Sequence, residues 1–426
     1  MKELLPNSEL HYLKNTLNWG NIPLTKASGQ LPTPFYLYNE QILLDNFKRF
    51  QAAAVKNNIP NPLVCYALKA NANPKLVSLL AKAGAGADIV SGGELKRALS
   101  SRVPAQHIVF SGVGKTQGEI DTALTTDEEG ILAFNVESIS ELELIAQRAK
   151  HFGKKAKVAL RYNPEVHAMT HKHISTGHRT HKFGLIKKDI ITLMKKKALW
   201  KNVQFQGLSV HIGSQLLDFE ATGKAVERAC KLLREIDQPF HFLDVGGGLG
   251  VDYAPTERAP KGVDRLDDYM KIVSENVHRH LIKPKIVGED FRVLFEPGRS
   301  IVARAGLFIT KVLRTKDSGA NHFVIVDGGM NDFGRTSLYG AYHEILPFKK
   351  TAKAVRKTTV VGPICETADC FASGRKLLPM KENEFLAVAD TGAYGFSMSS
   401  HYNLRNLPKE YLLTPSGDIQ DISHLM

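Results

Sequence analysis

The chain has 426 residues, 43% hydrophobic and 23% charged, an ordinary make-up for a soluble globular enzyme of two or three domains. Its net charge of +13 raises nucleic-acid binding, but the lysines fall in small clusters such as Lys187-Lys188 and Lys195-Lys196-Lys197 with no aromatic residues between them. Solvated helix faces that help attract an anionic ligand are the better reading, with no nucleic-acid partner. Four cysteines, Cys65, Cys230, Cys365 and Cys370, are too few and too widely spaced for a disulfide scaffold, and Cys365 and Cys370 lack the second pair a zinc site needs.

The first twenty residues, MKELLPNSELHYLKNTLNWG, hold no unbroken apolar core, so no secretory signal is expected. Segment 1–34 stands outside the repeat that follows and is expected to pack on, or join, a β domain. From there the chain alternates. Short apolar runs read as strands near 63–69, 87–90, 107–111, 131–135, 157–162, 205–211, 241–245 and 291–296, each separated by a stretch long enough for a helix. Residues 76–84 carry Leu, Val and Ala at helical spacing with a closing Gly. In 138–151, Ser138 is placed to cap the helix with Glu141 three residues later. Eight such units predict a (β/α)8 TIM-like barrel over 35–303, with its chemistry at the C-terminal strand ends.

Beyond about 300 the rhythm changes. Runs at 306–313, 322–326, 358–361 and 384–389 are strand-like with little helix between them, which predicts a C-terminal β-barrel or sandwich domain over 304–426. The fold class is therefore α/β plus all-β. The most apolar stretch, 301–313, is broken by Arg304 and Lys311, so no membrane span is expected and the cytoplasm is the expected location.

The strand ends carry the chemistry. Lys69 closes the run Leu63-Val64-Cys65-Tyr66-Ala67-Leu68 and is followed by a turn at Ala70-Asn71-Ala72-Asn73-Pro74. A lysine held there can lose its proton through desolvation and attack a carbonyl. His211 follows the sixth strand, with Ser214 close behind. Gly246-Gly247-Gly248-Leu249-Gly250 follows the seventh, and Glu296-Pro297-Gly298-Arg299 the eighth. The glycine run can turn backbone N–H groups toward a phosphate.

Two motif decoys fail on spacing. A dinucleotide fingerprint read from Gly246 places Val251 at its last glycine, and a Walker loop through Gly112-Val113-Gly114-Lys115-Thr116 needs glycine where Val109 stands. A lysine, a phosphate nest and an acid for a ring nitrogen are the parts a pyridoxal 5'-phosphate enzyme needs. Singly, each has a plainer reading: a solvated lysine, a tight turn, a surface ion pair, a core histidine. Together at successive strand ends they are much harder to explain that way.

These residues resemble the fold-type III pyridoxal phosphate-dependent decarboxylases, and within them the diaminopimelate decarboxylase family, over nearly the whole chain. The shared motifs are Tyr66-Ala67-Leu68-Lys69-Ala70-Asn71, Asp88-Ile89-Val90-Ser91-Gly92-Gly93-Glu94-Leu95, His211-Ile212-Gly213-Ser214-Gln215, Gly246-Gly247-Gly248 and Glu296-Pro297-Gly298-Arg299. Narrower ones are Met330-Asn331-Asp332 with Arg335, Tyr339 and Ala341-Tyr342-His343-Glu344, then Gly362-Pro363-Ile364-Cys365-Glu366, and Gly392-Ala393-Tyr394-Gly395-Phe396-Ser397-Met398. Gly334, Thr336 and Ser337, and Glu165-Val166-His167, depart from the family's commoner residues in substrate-facing loops.

The resemblance implies a homodimer with active sites at the subunit interface and loss of carbon dioxide from meso-diaminopimelate to leave L-lysine, the last step of lysine biosynthesis. It implies that Lys69 condenses with the cofactor and His211 stacks on its ring. Ser214, Gly246, Gly247, Gly248, Glu296, Pro297, Gly298, Arg299 and Tyr394 would hold the cofactor. Arg299, Arg335, Tyr339, Glu366 and Tyr394 would hold substrate, and Cys365, reaching in with Glu366 from the partner subunit, would return the proton.

The unreacting end of diaminopimelate needs a cation for its carboxylate and an anion for its ammonium, which Arg335 and Glu366 supply. Rival readings are a decarboxylase of the same fold acting on another basic amino acid or a carboxylated polyamine, a non-catalytic cofactor-binding homologue, and a racemase of similar architecture. His167, His171, His173, His178 and His181 crowd one stretch, but their spacing fits no familiar metal site. A lid over the pocket is the better reading, with no metal expected.

Overall fold

The computed structural model describes residues 9–27, 31–166, 182–236, 238–254, 265–351 and 354–424, and the statements below concern those. The chain forms two compact units, one from Asn46–Gly250 with Asp264–Ser300, the other from Met1–Asp45, Val251–Val263 and Ile301–Met426.

In the first unit, eight strands close into a parallel barrel: Leu63–Ala67, Gly86–Ile89, Ile108–Phe110, Ala133–Val136, Ala156–Arg161, Val203–Ser209, Phe242–Asp244 and Arg292–Phe295. Closure comes where Leu294 and Phe295 pair with Leu63 and Val64. Each strand expected from the sequence overlaps one of these. Barrel strands are covered on both faces, so they read as near-continuous apolar runs. Leu63, Cys65, Val109, Ala133, Ala159, Phe242 and Leu294 form one apolar cluster in the barrel, while Asp88, Asn135 and Asp244 on the strands, and Glu296 just past the last, bury polar groups.

Side-chain caps start the first four helices between the barrel strands. Asn73 accepts from the Lys75 N–H ahead of helix Pro74–Lys82, and Ser91 from the Glu94 N–H ahead of Gly92–Ser100. Thr116 and Glu119 form a reciprocal capping box at the start of Gln117–Thr125. Ser138 caps Ile139–His151 as expected, but Glu141 does not close a capping box. Its Oε2 accepts from the Glu137 N–H at 3.0 Å and its Oε1 takes the Lys115 ammonium at 2.7 Å. Lys115 Nζ also donates to the carbonyls of Gly112 and Asn135, each at 2.8 Å. The Walker-like run is thus a helix start with a buried, fully engaged lysine.

In the second unit, Gly306–Ser318 is the longest strand. Its first half pairs antiparallel with Phe35–Asn39 and with Phe385–Val388, and its second half with Asn321–Val326. Arg356–Val361 and Cys370–Leu377 extend one side, Lys409–Leu413 and Ile419–Asp421 the other, and Ile345–Pro347 pairs with Phe385–Val388. The sequence reading begins the barrel domain at 35. Phe35–Asn39 instead lies between Gly306–Ser318 and Lys409–Leu413 in this sheet.

Leu10–Leu13, Thr16–Trp19 and Ile22–Pro23 form a small antiparallel sheet. Leu10, Leu17 and Trp19 share a core with Phe35, Leu37, Leu307, Ile309 and Leu346, each such side chain contributing roughly 1.5–3 kcal/mol by burial. Among the described residues, no helix is long and apolar enough to cross a membrane.

Candidate active site

Lys69 lies in the short 3-10 turn Leu68–Ala70, directly after the first barrel strand. Its Nζ pairs with Asp88 Oδ2, on the second barrel strand; the Lys69 side chain is 35% exposed and that of Asp88 wholly buried. Asp88 is thereby held next to a cation, the arrangement a buried carboxylate requires.

Two more buried carboxyl groups belong to the same barrel. Asn135 Nδ2 lies 3.0 Å from Ser111 Oγ, 3.2 Å from Asp244 Oδ2 and 3.2 Å from Glu296 Oε1. Ser111 Oγ lies 3.3 Å from the same Glu296 oxygen, and the Gly246 N–H donates to Asp244 Oδ1 at 2.8 Å. Burial, then the neighbouring Asp244 and Asp88, holds the Glu296 carboxyl well above the usual carboxylate range, with Lys69 pulling the other way. Burial pushes Asp244 up to about 6, against bonds from Glu296, Gly246 and Asn135. Two carboxyl groups joined in this way cannot both ionise cheaply, so the pair keeps a proton.

His211 follows the sixth barrel strand. Burial, and then the Arg161 and Lys69 cations, hold its imidazole well below the ordinary histidine value. The Gly247 N–H donates to its Nδ1 at 3.2 Å, so Nδ1 carries the lone pair and the neutral ring presents its other N–H at Nε2. A Cβ on Gly247 would run into the backbone carbonyl of Glu296, and Gly248 has φ +96° with Gly213 O in the space a Cβ would need. The turn therefore brings bare backbone close to its neighbours. Arg299 begins the short helix Arg299–Val302 and donates to Ser214 Oγ at 3.2 Å. Pro297 O accepts from the Ala67 N–H at 3.1 Å, and Gly298 packs its bare Cα on Ala67 and Ala70, which fixes this turn beside Lys69.

The other expected residues lie in the second unit. Arg335, in helix Arg335–Tyr339, is buried, with its guanidinium carbon 4.8 Å from the Tyr253 ring centre and Nη1 3.0 Å from His343 Nε2. Tyr339 is partly exposed at the end of that helix. Gly334 starts the helix, and Ser337 Oγ donates to Ala368 O at 2.6 Å. Asp369 shapes the loop holding Cys365 and Glu366 by accepting from the Ile364 and Met330 N–H groups, each at 2.7 Å. Cys365 is exposed, and Glu366 accepts a hydrogen bond from the Tyr402 hydroxyl. Tyr394 has φ +56°, a costly conformation for a tyrosine that only a specific loop shape sustains.

Among the described residues no group of three or more His, Cys, Asp or Glu is placed to hold a metal. His167, His171, His173, His178 and His181, and the lid reading attached to them, lie outside the described residues.

Ser111, Asn135, Asp244 and His343 carry no role that the sequence motifs assign, and Asp88 stands only as part of one. The signal was there for three of them: a polar residue inside, or ending, an otherwise apolar strand.

The chain matches the family model of the pyridoxal-dependent decarboxylases, pyridoxal binding domain, over residues 45–303. A diaminopimelate decarboxylase of Aquifex aeolicus is 41% identical over 96% of this chain and 93% of its own, and one of Campylobacter jejuni 42% identical over 88% and 89%. Among solved structures, a diaminopimelate decarboxylase of Helicobacter pylori complexed with L-lysine superposes with TM-score 0.84 at 38% identity, over 93% of this chain and 95% of that one. One of M. jannaschii, also in complex with L-lysine, gives 0.88 at 34% identity over 99% and 96%.

Proposed function

The chain belongs to the diaminopimelate decarboxylases within the pyridoxal-dependent decarboxylases, and we propose from this that it converts meso-diaminopimelate to L-lysine and carbon dioxide with pyridoxal 5'-phosphate, closing lysine biosynthesis. The observation that carries the reading is the placement of Lys69 at a barrel strand end against the buried Asp88, with the Asp244 and Glu296 carboxyls at the ends of two strands of the same barrel.

The residues fit this cofactor. Lys69 offers an amine for its aldehyde. The 246–248 turn has backbone where Cβ atoms would intrude, and Ser300 Oγ is buried with no hydrogen-bond partner among the described residues, which suits a phosphate. Glu296 offers a buried acid for the ring nitrogen. When bound, the cofactor supplies an electron-accepting ring conjugated to the substrate nitrogen.

The protein's own groups do the rest. Lys69 Nζ is positioned by Asp88. Glu296 holds, beside Asp244, a proton that it would share with the cofactor's ring nitrogen. His211, neutral and with Nδ1 tied to the Gly247 N–H, offers a flat face for stacking. Ser214, Gly246, Gly247, Gly248, Pro297, Gly298 and Arg299 would hold the phosphate end, and Tyr394 would meet both cofactor and substrate. Arg299, Arg335 and Tyr339 would take carboxylate, Glu366 would take the distal ammonium, and Cys365 would supply the proton that replaces the lost carbon dioxide. The protein acts as a cytoplasmic homodimer in which Cys365 and Glu366 serve the partner subunit's site; their exposure supports this.

A substrate panel tests the reading. The cofactor-loaded protein is expected to release lysine from meso-diaminopimelate and no amine from ornithine or arginine. Amine production without lysine would move it to another decarboxylase of the same fold.

A further inference from the structure

Two neutral groups, His343 and Tyr253, meet Arg335. One of the guanidinium's five donors, on Nη1, reaches His343 Nε2 at 3.0 Å, and the guanidinium carbon sits 4.8 Å from the Tyr253 ring centre. His343 is itself fixed. Its Nδ1 lies 2.8 Å from Ala389 O, Phe333 meets its ring edge-on at 4.8 Å between centres, and Tyr253 lies at 4.7 Å. The ring is 1% exposed.

These two bonds determine its protonation. A carbonyl oxygen only accepts, so Nδ1 carries the hydrogen. A guanidinium only donates, so Nε2 carries the lone pair. The imidazole is therefore neutral and in one tautomer. It orients Arg335 without neutralising it, which an acidic partner in the same place would do.

We propose that His343 is a positioning residue that determines specificity. By fixing the plane of the Arg335 guanidinium, it makes the difference between a substrate that keeps a carboxylate at its unreacting end and one that carries only an amine there. This rests on the reading of Arg335 as the group that meets that carboxylate. Bidentate recognition needs the planar fork at a set angle. A guanidinium turned out of that plane forms one bond where an aligned one forms two. The proposal is specific to Nε2, since the Nδ1 bond to Ala389 serves only to hold the ring.

The two nitrogens can be separated by substitution. In His343→Asn, the side-chain amide reaches the Nδ1 position and can still donate to Ala389 O, but the Nε2 acceptor that meets Arg335 Nη1 is lost. In His343→Gln, the longer side chain can return an oxygen to Arg335. In the pyridoxal phosphate-loaded protein, His343→Asn is expected to weaken L-lysine binding and raise KM for diaminopimelate by about tenfold, the scale of one hydrogen bond to a charged group. Its kcat is expected to change by less than about twofold, because an orienting contact acts on binding. His343→Gln is expected to recover most of the affinity, and binding of cadaverine, which lacks the carboxylate, should be the same in all three proteins.

Wild-type affinity in His343→Asn, an equal loss in both variants, or a parallel loss of cadaverine binding would overturn the proposal while leaving the decarboxylase reading intact. A wild-type protein that neither binds lysine nor turns over diaminopimelate would overturn that reading, and this inference with it. Retention of the bound cofactor's absorbance in each variant shows that the protein has folded.

Discussion

Asn135 joins Asp244 to Glu296: its side-chain Nδ2 lies 3.2 Å from an oxygen of each. An amide with two hydrogens cannot neutralise two buried carboxylates, so the pair retains a proton, which Glu296 carries, and the titration of Asp244 beside it has a measurable consequence. Asp244 rises to about 6 in the folded chain, above its ordinary value of roughly 4. The native state then binds more protons than the unfolded state between these values. Stability contributed by this group is complete below pH ~4 and is lost as pH rises to about 6. Asp244→Asn removes the titration. The cofactor-free variant is expected to gain on the wild type over that window, by roughly 1–3 kcal/mol. Melting curves from pH 4 to 8 check this, and parallel curves would contradict it.

The glycine turn offers a steric test. Gly247→Ala drives a methyl group into the Glu296 carbonyl and is expected to cost about 1–3 kcal/mol of stability and to weaken pyridoxal phosphate binding. Gly118, in helix Gln117–Thr125, has open space around it. Gly118→Ala is therefore expected to stabilise the protein by about 0.5–1 kcal/mol without touching cofactor affinity. Thermal melts and a cofactor titration on both variants are the measurement.

Removal of the Arg335 cation should act on the substrate rather than the cofactor. Arg335→Ala is expected to lower kcat/KM for diaminopimelate by roughly 30-fold or more, the cost of truncating one side of a charge-assisted pair. Arg335→Lys should recover little, because a point charge does not replace a planar fork. Steady-state kinetics of both variants, with cofactor absorbance unchanged, check the assignment. Equal activity in the mutant and the wild type would remove Arg335 from the site.

Cys365 is exposed, whereas Cys65 and Cys230 are buried. Cys365→Ala is expected to reduce kcat by roughly 10²–10⁴-fold, the usual span for loss of a general acid, with lysine affinity nearly unchanged. Single-turnover release of carbon dioxide and of lysine, followed separately, places the defect at proton return if carbon dioxide appears first.

Much of this was readable from the sequence. Barrel strands such as Leu63–Ala67 announce themselves because both faces are buried, and their ends are marked by Asn, Gly or Pro. Lys69, His211, the 246–248 turn and Glu296 all stand just past those ends.

What escaped depends on pairing across long stretches of chain or on buried polarity. Phe35–Asn39 is wholly buried, yet its partners lie at Gly306–Ser318 and Lys409–Leu413, and nothing local names them. Cys370–Leu377, with Ser, Gly, Arg and Lys inside it, lacks an apolar run. Asn135 and Asp244 look like blemishes in apolar strands until the barrel brings them to Glu296. His343 owes its tautomer to a backbone carbonyl that no side-chain pattern can reveal.

The account depends above all on Lys69. Loading the protein with pyridoxal 5'-phosphate, reducing it with borohydride and mapping its peptides by mass should place a single pyridoxyl group on Lys69. The unreduced protein should form lysine and carbon dioxide in equal amounts from meso-diaminopimelate, and Lys69→Ala should do neither. A label on another lysine, or full turnover by Lys69→Ala, would contradict the account.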